Sequence, residues 1–105
     1  TLPVILFSAA ADKSYEEMAA CLCKKLPAKA YIVTEIEDKR RISAGELGRI
    51  FRRYTKQKVI ERKSIREALK AAYEEQGEDG YIYCVGSLYL AGAVENILEG
   101  AVSDA

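Results

Sequence analysis

Four short apolar runs divide the chain, and after each of them the apolar residues recur at helical spacing. Residues 3–8 (PVILFS) are continuously apolar over the length of a strand, as expected of a strand covered on both faces. After a loop at 9–13, Ser14 and Glu17 form a capping-box signature. Behind it Tyr15, Met18, Ala19, Leu22 and Leu26 fall on one helical face, and Pro27 stops the helix. Residues 31–34 (YIVT) read as a second buried strand. A charged loop at 35–41 leads to a second capping box, Ser43 and Glu46, and to the stripe Leu47, Ile50, Phe51, Tyr54. Residues 58–61 (KVIE) form a short strand more polar than its neighbours. The third capping box, Ser64 and Glu67, opens a helix that turns Ile65, Leu69, Ala72 and Tyr73 inward. The stretch 77–80 (GEDG) then breaks the chain, residues 81–85 (YIYCV) form a fourth strand, and a last helix runs from 88 to about 98.

Strands alternating with helices in this way predict an α/β domain. The expected fold is Rossmann-like, a three-layer α/β/α arrangement of four β-α units on a mostly parallel sheet with right-handed crossovers. The polar third strand belongs at a sheet edge, which gives the strand order 3-2-1-4. In that order the direction of winding reverses between the first and fourth strands, and ligands of open α/β sheets bind outside the carboxyl ends of the strands at such a switch point. The loop at 9–13 and the turn at Gly86 and Ser87 are therefore expected to line one crevice, with the loop at 35–41 beside it.

The stretch 81–97 (YIYCVGSLYLAGAVENI) stands out. A strand runs straight into Gly86 and Ser87 and then into a helix, so the free N–H groups and positive dipole end of the first turn make an anion site there. The plain alternative is that Ser87 serves only as an N-cap. The helix itself is apolar or small all the way round from Leu88 to Val94, whereas a surface helix needs one such stripe. Either a second copy of the chain covers it, or the missing part of a longer protein does.

Composition narrows the function. A length of 105 residues fits a single domain, 1–105, and 16 Lys plus Arg against 16 Asp plus Glu leave no net field favouring nucleic acid or an anionic membrane. No apolar run is long enough to span a bilayer and the first residues carry no basic leader, so the expectation is a soluble, cytoplasmic protein. The three cysteines, an odd number, point to reduced thiols. Cys21 and Cys23 are two apart on a helix, where side chains diverge, so a metal pair is not expected. The chain contains no histidine, which removes histidine-dependent triads, histidine metal sites and the usual proton shuttle at neutral pH.

The crevice would gather Asp12 and Lys13 from one loop, Ser87 from the other, and Arg40 or Arg41 from the third. Cations beside a helix N-terminus suit a dicarboxylate or a phosphorylated ligand, and they favour binding over catalysis. Each has a plainer reading: Lys13 as a solvated loop lysine, Asp12 as a turn former, and the run from Asp38 to Arg41 with Arg52, Arg53, Lys56 and Lys58 as a solvated face neutralised by Glu35, Glu37 and Glu61. Neither of the common glycine-rich phosphate-binding motifs is present.

Asp12-Lys13-Ser14-Tyr15 after the first strand and Gly86-Ser87-Leu88-Tyr89-Leu90 after the last resemble the C-terminal domain of folylpolyglutamate synthases and dihydrofolate synthases, members of the Mur ligase superfamily. The order of elements agrees along nearly the whole chain. The resemblance implies an ATP-dependent ligase that converts a carboxylate of folate or dihydropteroate to an acyl phosphate, which the amine of L-glutamate then attacks. It implies that Lys13 and Ser87 bind carboxylates of the incoming glutamate, with Asp12 and Gly86 lining the crevice. The superfamily's Asp-Asn-Pro-Arg type of motif after the next strand reads Glu37-Asp38-Lys39-Arg40 here, without the proline, and makes Arg40 a third contact.

The phosphate loop and Mg²⁺ ligands of such enzymes belong to an N-terminal domain, and the Asp-Gly-Ala-His-Asn segment that begins their C-terminal domain is missing here. The resemblance therefore implies that ATP and Mg²⁺ bind the parent protein, that this stretch binds neither alone, and that it has no ligase activity by itself. A different class of function also fits the residues: a stand-alone flavodoxin-like module whose crevice binds an anion or a protein without chemistry. The upstream reading frame separates the two, through the presence or absence of a phosphate loop. A Mur ligase acting on peptidoglycan precursors shares the architecture, but the wording from Gly86 to Leu90 favours folate.

Overall fold

The computed structural model describes residues 2–11, 14–77 and 80–85. Its elements are β1 (Val4–Phe7), α1 (Tyr15–Lys25), β2 (Ala30–Val33), α2 (Ala44–Tyr54), β3 (Lys58–Glu61), α3 (Ile65–Gln76) and β4 (Ile82–Val85). The strands form one sheet in the order β3-β2-β1-β4, and every neighbouring pair is parallel, as the alternating pattern predicts. Strand bounds differ from the sequence reading by a residue at β1, β2 and β4, while β3 agrees. The expected helix at 88 to about 98 lies outside the described residues.

The continuous apolar runs are explained by burial on both faces. Successive side chains of a strand point to opposite sides, and both sides of β1 and β2 are covered. Ile5 and Phe7 of β1 and Tyr31 and Val33 of β2 meet Ala19 and Leu22 of α1 and Leu47, Ile50 and Phe51 of α2. Val4, Leu6 and Ile32 meet Ile65, Ala68, Leu69, Ala71 and Ala72 of α3 on the opposite face. The sheet is thus the middle of three layers. The first core centres on Phe51, whose ring sits edge-on to Phe7 at 5.1 Å and tilted against Tyr31 at 5.3 Å.

Two of the three capping boxes supply the expected cap. Ser43 Oγ accepts the Glu46 amide at 3.1 Å and Ser64 Oγ accepts the Glu67 amide at 3.0 Å. Ser14 does not cap α1 with its side chain. Its ψ of 63° turns the residue away from the extended conformation that Ser43 and Ser64 share (ψ 149° and 145°), so the hydroxyl is not presented to the first turn. Glu16 of that turn pairs instead with Arg53 of α2 at 2.7 Å.

Three residues expected on buried stripes are exposed. Leu26 lies past the last turn of α1 as its C-cap, where the helical periodicity no longer governs its direction. Tyr54 is the final residue of α2, and its hydroxyl donates to Glu16 at 3.3 Å on the surface. Tyr73 leaves the stripe because α3 approaches the sheet through its alanines: the buried strip runs through Ala68 and Ala72 and widens toward Ala71, and Tyr73 falls beyond its other margin. Gly77 ends α3 with φ +73°, a conformation that costs glycine little.

β3 is an edge strand and only partly buried, as its polarity predicts. Its open side is protected by guanidinium groups. Arg52 donates to the Val59 carbonyl at 3.2 Å, and Arg62 donates to the Glu61 carbonyl at 2.8 Å.

Candidate functional site

The parallel sheet brings the carboxyl ends of β1 and β4 level, with Phe7 opposite Val85 and Phe7 also opposite Val33 of β2. The chain leaves all three strands at one end. The ladder continues a step further there: the Thr34 amide donates to the Phe7 carbonyl at 3.0 Å and the Arg62 amide to the Val33 carbonyl at 3.0 Å. Ser8 and Thr34, the first residues past β1 and β2, are fully buried, and among the described residues neither hydroxyl oxygen has a hydrogen-bond partner.

Beyond this end the loop after β2 is docked onto the loop after β1. Ala10 and Arg41 form an antiparallel bridge, the Ala11 amide donates to the Arg40 carbonyl at 2.5 Å, and the Ile42 amide donates to the Ala9 carbonyl at 3.4 Å. The docking is possible because Ala9 and Ala10 are small and buried, so the two backbones meet directly. The loop at 35–41 therefore lies beside the loop at 9–13, as expected, whereas the pairing that the switch point itself predicts, of the β1 loop with the turn after β4, falls outside the described residues. Ala11 leads directly into Asp12 and Lys13, which lie outside the described residues, as do Gly86 and Ser87. Of the predicted carboxylate contacts, Arg40 is the one that the described residues include.

Arg40 is exposed and turned toward Asp38. Its Nε donates to Asp38 Oδ1 at 3.1 Å, while its backbone amide donates to the same oxygen at 2.8 Å. These contacts, led by the guanidinium hydrogen bond, hold the Asp38 carboxyl below its ordinary range. Arg41 has a different partner: its Nε lies 3.6 Å from Glu35 Oε1, and its Nη1 donates to the Asp38 carbonyl at 3.4 Å. Glu35 also accepts the Ala44 amide at 3.0 Å through Oε2, so one carboxylate holds both Arg41 and the first turn of α2. Glu35, Glu37, Asp38, Lys39, Arg41 and Lys63 border a shallow concavity of about 410 Å³ on this loop.

Of the basic residues read as a solvated face, Arg41 and Arg52 meet the expected acids Glu35 and Glu61, whereas Arg53 and Lys58 meet Glu16 and Glu75 instead. Arg52 meets Glu61 at 2.5 Å, Arg53 meets Glu16 at 2.7 Å, and Lys58 meets Glu75 at 2.6 Å. Sequence reasoning missed the double role of Glu35, treating it as one neutralising acid among several. The available signal was its position directly after a buried strand with a capped helix shortly downstream. The buried hydroxyls of Ser8 and Thr34 were likewise absorbed into apolar runs.

Among the described residues no group of three or more Cys, Asp or Glu is placed to hold a metal ion, and no helix is long and apolar enough to cross a membrane. The described thiols are free. Cys21 is exposed, whereas Cys23 packs against the first core beside Tyr31, so the two do diverge.

No known protein-family description matches the chain, and no curated protein matches its sequence. Among solved structures the fold is similar to Mycobacterium tuberculosis folylpolyglutamate synthase complexed with ADP and AMPPCP, with a TM-score of 0.79 and 20% identity over 91% of this chain and 23% of that one. It is similar also to the same enzyme complexed with ADP, with a TM-score of 0.77 at 20% identity and the same coverage. The chain spans less than a quarter of the length of these structures. At this identity the likeness is one of fold.

Proposed function

We propose that the chain is the C-terminal, amino-acid-binding domain of an ATP-dependent folylpolyglutamate synthase, a ligase that adds L-glutamate to a folate. The observation that carries this reading is a coincidence of place. The segment resembling that family, Gly86 to Leu90, follows β4, and Asp12-Lys13 follows β1; these two strands are parallel neighbours that end level at the switch point. The fold of folylpolyglutamate synthase structures over 91% of the chain supports it independently.

In this reading the chain holds glutamate and leaves the rest to other domains of its parent. Lys13 supplies a compact ammonium, Ser87 a hydroxyl, and Arg40 a planar fork, which together suit the two carboxylates of an acidic amino acid. Holding both carboxylates leaves the amine as the group free to point at its electrophile, which is catalysis by positioning. ATP and Mg²⁺ are assigned to the remainder of the parent, as the family resemblance implies, and the similar folylpolyglutamate synthase structures were complexed with ADP and AMPPCP. The pterin-bearing substrate is assigned there too, and the parent is taken as cytoplasmic.

The test is steady-state kinetics of the full-length parent and its Lys13→Ala, Ser87→Ala and Arg40→Ala variants. Removing one charge-assisted contact to a carboxylate, worth about 1.5–3 kcal/mol, is expected to raise KM for L-glutamate roughly tenfold or more, with KM for ATP unchanged. Glutamate KM values unchanged in all three variants would overturn the reading. A coding sequence with no phosphate loop upstream would favour the stand-alone binding module.

A further inference from the structure

We infer that Glu35 is a positioning residue for the ligand-binding loop, a deepening that rests on the function proposed above. Glu35 follows β2 and the buried Thr34, and its side chain is only 18% exposed. An ion so placed needs partners, and it has two on different elements. Oε2 accepts the Ala44 amide of α2 at 3.0 Å, and Oε1 faces Arg41 Nε at 3.6 Å.

Ser43 already caps α2 by accepting the Glu46 amide. Glu35 is therefore not needed as the sole cap; what it adds is a tie between the helix start and Arg41. Arg41 is the residue through which the loop bridges Ala10, and its neighbours Arg40 and Ile42 exchange backbone hydrogen bonds with Ala11 and Ala9. The carboxylate thus acts as a strut from the rigid end of β2 and α2 to the seam between the two loops. Through that seam it sets where Arg40 stands relative to Ala11 and the carboxyl end of β1. The other charged groups bordering the loop are Glu37, Asp38, Lys39 and Lys63; Asp38 engages Arg40, so Glu35 is the acid that holds Arg41.

Glu35→Gln keeps an acceptor for the Ala44 amide and loses the charge facing Arg41; Glu35→Ala loses both. In the full-length parent, Glu35→Ala is expected to raise KM for L-glutamate about three- to tenfold with kcat at saturating glutamate and KM for ATP unchanged, and Glu35→Gln is expected to fall between it and the native protein. Amide hydrogen exchange at Ala11 and Ile42 is expected to quicken in both variants, a readout independent of the substrate. A purely structural role would lower melting temperature and active fraction without moving KM. Native KM in both variants, alongside raised KM in Lys13→Ala, would overturn the role of Glu35 and leave the proposed function standing. Unchanged KM throughout with quickened exchange would overturn the function and leave the strut. Should Glu35→Ala not fold, Glu35→Gln decides alone.

Discussion

Arg52 near the end of α2 donates to Oε2 of Glu61 on β3 at 2.5 Å, and its other terminal nitrogen reaches the Val59 carbonyl at 3.2 Å. One guanidinium thereby satisfies an acid and covers part of an open sheet edge. The pair is half-exposed, so its direct contribution to stability is small, about 0.2–1 kcal/mol. Its larger effect is on association. Arg52→Ala is expected to lower stability by no more than that and to increase concentration-dependent light scattering, because Val59 then offers a bare carbonyl to another strand. A variant as monodisperse as the native protein at high concentration would refute the protective role.

Glu61 also explains Gly48. A Cβ built on Gly48 would collide with the Cγ and carboxyl of Glu61, so a side chain there would force Glu61 out of its place beside Arg52. Gly48→Ala is expected to destabilise the native protein, yet to stabilise a Glu61→Ala background by about 1 kcal/mol, the ordinary helix preference for alanine over glycine. Denaturant unfolding of the four proteins of this cycle measures the change of sign.

The buried hydroxyls at the ends of β1 and β2 make an opposite prediction. Ser8 Oγ and Thr34 Oγ1 are fully buried without a partner among the described residues, and such a group forfeits its hydration on folding. Ser8→Ala and Thr34→Val are each expected to be neutral or stabilising by up to about 1 kcal/mol. A loss larger than that in thermal unfolding would show that an ordered water satisfies the pair.

Tyr31 makes stability depend on alkaline pH. Burial first, then the neighbouring Cys23, pushes its hydroxyl from 10.0 up to about 12, and the hydroxyl donates to the Leu26 carbonyl at 3.1 Å. A raised value means that the fold favours the neutral phenol. That contribution is complete below pH 10 and is lost as pH rises toward about 12. Burial raises the Cys23 thiol as well, with the same sign from its ordinary 9.0 upward. Tyr31→Phe is expected to lower stability at neutral pH and to flatten the fall of stability between pH 10 and 12. Equal slopes in native and variant proteins would refute the assignment.

Phe51 joins the two strands most buried in the sheet to α2. Phe51→Ala removes a ring touching both Phe7 and Tyr31 and is expected to cost about 3–5 kcal/mol, a large share of the stability of a domain this size. Circular dichroism of the variant on heating measures it.

The carboxylate strut and the misjudged tyrosines mark where pattern reading stops. Tyr73 satisfies the helical period as well as Ala71 does, and nothing local says which side of the stripe α3 will press onto the sheet. Ser14 has the wording of a capping box, as Ser43 and Ser64 have, but its ψ of 63° departs from the extended conformation those two share. Ser14 therefore had to be seen in place, whereas the buried strands did not, because a four-residue apolar run has few other ways to hide both faces.

The order of polar and apolar residues alone determined the number of described strands and helices, their parallel winding and the edge position of β3, because those follow from local periodicity and from the short reach of each connection. The pairing of Glu35 with Arg41 and the Ala44 amide, the seam between Ala9–Ala11 and Arg40–Ile42, and the burial of Ser8 and Thr34 were decided only by tertiary structure. Each depends on loops from separate strands arriving at one end of the sheet. That meeting is a property of the packed layers and leaves no period in the chain.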